Sequence, residues 1–169
     1  MLEIKGNTFK LAGVNWTVLD KTEEGYLCIA DSIGDRKFDR KCNDWKRSDL
    51  REYLNNDYLA KLEANVGKDN ILPFKRDLLS LDGQTEYGTC EDKVSLLTVD
   101  EYRKYRALLP NTGKWWWLIT PDSTACNNDS IWEAVVSPRG NVYNRIYVIN
   151  VGVRPFCIFS SAIFESEEE

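Results

Sequence analysis

The chain has 169 residues, enough for one domain and too few for two enzyme-sized ones. Apolar residues at 43% and charged residues at 29% exclude a disordered chain, and no apolar run approaches the roughly 20 residues needed to span a bilayer. Four of the 27 acidic residues lie in residues 165–169 and the other 23 balance 22 basic ones; the net charge of −5 therefore gives no general case for binding nucleic acid or anionic membranes.

Histidine is absent. That excludes a Ser-His-Asp triad, a Cys-His dyad, an HExxH zinc site and a His-ligated haem. Any general acid or base must be Asp, Glu, Lys, Tyr or Cys, which weakens the case for an enzyme. The five cysteines, at 28, 42, 90, 126 and 157, are odd in number, widely scattered and free of CxxC. Neither a disulfide framework nor a structural zinc is expected from them, and no cofactor is expected either. Residues 1–5 lack the charged-then-apolar order of a signal peptide. A reducing bacterial cytoplasm, or expression from a phage-like element inside a cell, is the expected setting.

Along the chain, residues 8–33 read as a hairpin. Phe9, Leu11, Trp16, Val18, Tyr26, Cys28 and Ile29 are strand formers, and residues 21–25 supply the turn. Ser48 is placed to cap a helix on which Leu50, Tyr53 and Leu54 share a face. Asn56 or Asp57 can cap a second turn that Gly67 ends. Residues 69–93, broken by Pro73 and Asp82-Gly83, predict loops with one or two short strands. Residues 94–97 predict a strand that leads into Thr98, which forms a capping box with Glu101 for a helix through Tyr105 or Arg106. From Lys114 onward the pattern is all-β, with strands at 115–119, 132–136, 141–148 and 153–159. The expectation is one α+β domain over residues 1–164, with residues 165–169 as a disordered acidic tail.

Five segments carry a resemblance. They are Trp16-Thr17-Val18-Leu19-Asp20, the 45–54 stretch of Trp-x-x-Ser-x-Leu-Arg-x-x-Leu, residues 94–101 ending Leu-Leu-Thr-x-x-Glu, Trp115-Trp116-Trp117-Leu118, and Gly152-Val153-Arg154-Pro155. In this order, over residues 9–160, the chain resembles the DUF6273 family of Firmicutes and their phages, whose function is undefined. That family looks related to the C-type-lectin fold, which also hosts formylglycine-generating enzymes and the variable proteins of diversity-generating retroelements. The resemblance implies a C-type-lectin-like fold, two short helices with a small twisted antiparallel sheet. Its ligand surface would be built from the strands and loops of the C-terminal half.

Candidate site residues follow from residue chemistry and from this resemblance. Strict alternation over 141–148 sends Val142, Ile146 and Val148 to the core and leaves Tyr143, Arg145 and Tyr147 outward. Flat aromatics beside a guanidinium bury much area at little entropic cost. The polar loop with Asn127, Asn128 and Asp129 borders that surface; one carboxylate beside two amides is a thin Ca²⁺ ligand set, and a tight turn is the expectation there. Alternation puts Trp115 and Trp117 on one face and Trp116, the expected core residue, on the other. Trp117 is taken as a further ligand-binding candidate. Arg154 is expected to be structural, bonding loop carbonyls. The window from Arg36 to Arg51 holds seven basic and three acidic residues and is expected to be a solvated helix edge. Cys126 and Cys157 lack the close spacing of the copper-holding pair in formylglycine-generating enzymes, and Cys157 lies among apolar residues where an inert thiol is expected.

The leading functional expectation is a non-enzymatic domain that binds a protein or glycan ligand through its C-terminal strands and loops, with no membrane or nucleic-acid partner. The alternatives are a mobile-element protein that binds and blocks a host factor, and a copper-dependent oxidase.

Overall fold

The computed structural model describes residues 1–125 and 130–166. Its first strands are β1 (Thr8–Leu11), β2 (Val14–Lys21) and β3 (Tyr26–Ala30). Ala12 and Gly13 both have positive φ, the two-residue turn whose twist matches the flanking strands, and this splits the expected hairpin into a three-stranded meander. Phe9, Leu11, Trp16 and Cys28 are all buried.

Two five-stranded sheets form the body. In the first, β12 (Phe156–Phe159) lies between β3 and β5 (Ile71–Leu72), giving the order β1-β2-β3-β12-β5. The second contains β4 (Asp35–Arg36), β8 (Trp116–Pro121), β9 (Trp132–Val136), β10 (Val142–Ile146) and β11 (Val151–Gly152) in the order β10-β9-β8-β11-β4. The only parallel pair among these strands is β11 with β8. A separate ribbon pairs β6 (Phe74–Asp77) with β7 (Thr89–Asp92). The architecture is α+β, and no helix among the described residues is long and apolar enough to cross a membrane.

Ser48 caps α1 (Asp49–Tyr53), its hydroxyl accepting from the Arg51 N–H. No second cap forms at Asn56 or Asp57. The chain continues through a π turn, Leu54–Tyr58, into α2 (Leu59–Val66), which ends at Gly67 with φ 88°. Asn55 occupies the widened turn. Its Nδ2 donates to the carbonyls of Arg51 (3.0 Å) and Val94 (2.8 Å), and its Oδ1 accepts from the Lys93 and Val94 N–H groups at 3.2 and 3.0 Å. One amide therefore fastens the helical segment to residues 93–94.

Residues 94–97 are buried, but they do not form the expected strand; only Ser95 pairs, through a bridge to Phe156. The Leu97 carbonyl accepts the Ile119 N–H, and the buried Arg76 supplies further bonds. It donates to the Ser95 hydroxyl (2.9 Å), the Leu96 carbonyl (2.7 Å) and both carboxylate oxygens of Glu101. Glu101 also closes the capping box with Thr98 at the start of α3 (Val99–Tyr105).

The core has two layers, one on each face of the second sheet. Trp117, Ile119 and Val135 join Phe38, Trp45 and Leu50 on one face, while Trp116, Leu118, Ala134 and Val136 meet Tyr102 and Leu109 on the other. Every residue from 151 to 159 is buried. Residue 165, expected in a loose tail, donates its N–H to the Leu2 carbonyl at 2.8 Å; residues 167–169 lie outside the described residues.

Asn55→Ala is expected to cost about 2 kcal/mol, because it orphans backbone groups at 93–94 as well as losing its own bonds. Asn56→Ala, which removes one exposed bond to the Glu52 carbonyl, is expected to cost no more than about 0.5 kcal/mol. Urea unfolding of both variants checks the contrast, and equal losses would contradict the role given to Asn55.

Candidate ligand-binding surface

Gly152 sets the floor of the site. Its N–H donates to the Trp115 carbonyl at 3.0 Å, and a Cβ at this position would stand 2.6 Å from that same oxygen. Only glycine lets β11 lie this close to the start of β8. Trp115, just before β8, is half-buried and packs under β10. The Arg145 guanidinium lies 4.0 Å from its ring centroid, and the Tyr143 ring meets it edge-on at 5.6 Å and 70°. Beside them is a depression of about 410 Å³ whose lining includes Asp35, Lys114, Trp115, Arg145, Ile149 and Asn150. Among the described residues no carboxylate comes within ion-pair distance of Arg145.

The structure brings Tyr143 and Arg145 together, with Tyr143 50% exposed. Tyr147 does not belong with them. β10 ends at Ile146, and Tyr147 turns into a half-buried position against the main core, where its carbonyl accepts the N–H groups of Phe38 and Asp39. The expected burial of Val142, Ile146 and Val148 is also corrected. Val142 and Val148 are 38% and 36% exposed, and Ile146 is only half-buried. The register places Tyr143 and Arg145 opposite Val135 and Glu133, on the face that carries Trp117. Because the second sheet is covered on both faces at its centre, its edge strand is partly exposed on both, and alternation alone cannot name the inner side.

Trp117 is fully buried, which overturns its placement on the ligand surface. β8 is the middle strand of its sheet, so the Trp117 ring packs against Phe38 at 5.5 Å and its Nε1 donates to the Arg36 carbonyl at 2.9 Å. Trp115, two positions earlier on the same face, is the tryptophan a ligand can reach. The signal for it was the strand start, where a side chain of the same parity emerges from the core. Lys114 and Asp35 left no pattern in the sequence.

Asn127, Asn128 and Asp129, with Cys126, lie outside the described residues. Asn43 and Tyr87 hold the two flanks of that stretch. Asn43 Nδ2 donates to the carbonyls of Ser123 and Trp132 at 2.8 and 2.9 Å, its N–H donates to the Ser130 carbonyl, and its Oδ1 accepts from the Tyr87 hydroxyl, which in turn accepts the Ala125 N–H. Among the described residues, no three His, Cys, Asp or Glu side chains are placed to hold a metal ion.

Arg154 is buried, donates to the Ala30 carbonyl at 3.0 Å and lies over the Trp116 ring, and burial pushes its guanidinium below the ordinary arginine range. Among the described residues, three of the seven basic residues in the basic window form ion pairs, two with acids inside the window and one with an acid outside it. Arg40 pairs with Asp49, Arg47 with Asp44 and Arg51 with Asp92, while Arg36 stacks on Tyr53. Cys157 is buried opposite Cys28, and burial first, then its neighbouring thiol, raises its pKa well above that of an ordinary cysteine. A thiol in that state is a poor nucleophile or copper ligand.

Glu133 was not among the candidates. It is fully buried on β9, and among the described residues neither carboxylate oxygen has a hydrogen-bond partner. Burial, followed by Asp44, Cys42 and Asp122, pushes its pKa well above the ordinary 4.5, so the group is held as the neutral acid. A carboxyl whose pKa rises on folding adds stability that is complete below 4.5 and lost as pH rises toward its folded value. Within that window each pH unit removes about 1.4 kcal/mol. Melting temperatures measured from acid to mildly alkaline pH should therefore fall in the wild type relative to Glu133→Gln. Parallel curves would show that Glu133 does not titrate against folding.

Comparison of the chain with protein-family models, with curated proteins and with solved structures finds no match in any of the three.

Proposed function

We propose that this chain is a non-enzymatic binding domain whose partner docks on Trp115, Tyr143 and Arg145. The observation that carries the reading is the stacked cation and aromatic pair at the rim of the depression beside β10. Aromatic side chains and arginine concentrate binding energy at interfaces, and here they are already held in place by one another. The same contact favours a protein over a glycan. Arg145 covers one face of the Trp115 indole and Tyr143 abuts it, which leaves less of the flat platform on which a sugar ring stacks.

The finer reading of the fold, a C-type-lectin-like domain akin to the DUF6273 family, belongs to the same proposal. It draws support from two helical units set against small sheets that are mainly antiparallel, and from a candidate surface built on the C-terminal strands.

Affinity capture from a bacterial lysate, read by mass spectrometry, tests the surface. The double substitution Tyr143→Ala/Arg145→Ala should weaken capture of the partner by about 30-fold or more, with melting temperature nearly unchanged. Capture that survives in the folded variant would place the site elsewhere, and retention on glycan resin without a protein partner would return the choice to a sugar ligand.

A further inference from the structure

Among the described residues the second sheet ends at β10, which pairs only with β9. Its register is regular, with no bulge. The Ser137 N–H donates to the Asn141 carbonyl and the Tyr147 N–H to the Ile131 carbonyl, which fixes the phase of the ladder. Residues 141, 143, 145 and 147 therefore turn their backbone groups inward to β9, and Val142, Asn144 and Ile146 turn theirs to the open edge. Two of those outward carbonyls are occupied. The Arg145 side chain donates to the Asn144 carbonyl at 2.9 Å, and the Ile149 N–H donates to the Ile146 carbonyl at 3.3 Å. The Val142 carbonyl and the N–H groups of Val142, Asn144 and Ile146 have no partner among the described residues.

Open edges are ordinarily guarded by shortness, lysine, proline or a bulge. The other edge of this sheet, β4, has two residues, both charged, and in the first sheet β5 has two residues while β1 carries Lys10. β10 has five residues and none of these guards except Arg145. Apolar exposure gathers here as well. Of the nine large apolar side chains exposed among the described residues, Ile131, Val142, Tyr143, Val148 and Ile149 lie on or beside β10. On the Tyr143 face of β10, Arg145 has no carboxylate within ion-pair distance among the described residues, and neither does Lys114 in the lining of the depression, where Asp35 is the one acid; Asp122 lies on the opposite face, bonded to Asn144.

We infer that β10 takes up an extended acidic segment of a partner protein as an added strand. The inference rests on the reading of this surface as a protein-binding site and deepens it by naming how the partner is held. The free groups of Val142, Asn144 and Ile146 supply the ladder. Alternate side chains of the added strand then fall on two different surfaces, and the period of two dictates their chemistry. On the Arg145 face they meet its unpaired guanidinium and should be acidic. On the other face Val142 and Ile146 flank Asn144, whose amide donates to the Asp122 carboxylate, and the side chains set beside the two apolar residues should be aliphatic. A second copy of this chain fits less well, because antiparallel pairing of two β10 strands would set both Arg145 side chains on one face of the same seam.

The probe is a capped heptapeptide of alternating valine and glutamate, titrated into the full chain and followed by amide chemical shifts. Saturable shifts should be largest at Val142, Asn144 and Ile146. A valine–lysine peptide should bind about tenfold more weakly or worse. N-methylating one set of alternate peptide nitrogens should abolish binding while methylating the other set leaves it intact, a test that needs no change to the protein. Val142→Pro removes an outward N–H and should weaken binding about tenfold, since proline is tolerated where a strand's N–H faces solvent.

No saturable shift, equal binding of both N-methylated peptides, or equal binding of the lysine peptide would overturn the added strand. Concentration-dependent dimerisation at these amides without peptide would assign the edge to a second copy and overturn it too. If Tyr143→Ala/Arg145→Ala abolishes partner capture but Val142→Pro does not, the surface reading stands and the added strand fails. If neither substitution matters, both fall.

Discussion

One buried segment belongs to both sheets, and the rest of the structure is arranged around it. β11 ends at Gly152 in the second sheet, and β12 begins at Phe156 in the first, so only Val153, Arg154 and Pro155 lie between them. This short crossing is held by backbone bonds from residues 30–34: the Ala30 N–H donates to the Pro155 carbonyl, the Ile33 N–H to the Val153 carbonyl, and the Gly34 carbonyl accepts the Val153 N–H. Arg154 adds its bond to the Ala30 carbonyl and its contact with Trp116. A crossing so short leaves the sheets little freedom to slide or part. Its burial is possible because its backbone polar groups are so largely paired.

The candidate surface inherits its geometry from that crossing. β11 fixes β8 through the contact of Gly152 with Trp115, and β9 and β10 follow by pairing outward from β8. Trp115 is held between the locked centre of the sheet and its open edge, so the residues stacked on it have a fixed floor although they are partly exposed. Two buried acids show how differently the fold treats carboxylates. Asp92 accepts from the Trp45 indole at 2.7 Å and from Arg51 at 2.6 Å, so its charge is compensated. Glu133 has neither kind of donor, and burial answers by keeping it protonated.

Local chemistry was legible in the sequence wherever a few neighbouring residues decide the outcome. Ser48 as a cap, Gly67 as a stop, the Thr98 and Glu101 box and the strand at 132–136 all depend on bonds made within a turn or on a plain β-pattern. Features decided by distant partners were not legible. The π turn depends on Asn55 meeting residues 93–94, and residues 94–97 are buried without a ladder because Asn55, Phe156, Arg76 and Ile119 supply their partners one by one. In the candidate site, Tyr143 and Arg145 could be read from alternation as a pair on one face. Which face was inward, and which tryptophan was central, depended on strand order, and strand order leaves no mark on the local sequence.

The position of β12 also bears on the order in which the chain can acquire its structure during synthesis. The strand lies inside the first sheet, between β3 and β5, although it is the last strand in sequence. Until residues 156–159 have left the ribosome, the meander of β1 to β3 has an open flank at β3, and β5 has no neighbour in its sheet. β11 emerges just before β12, so both sheets close within the same few residues of translation. The contacts that join the two sheets therefore form late, and Tyr26 to Ala30 must stay unpaired on that flank until residues 156–159 arrive.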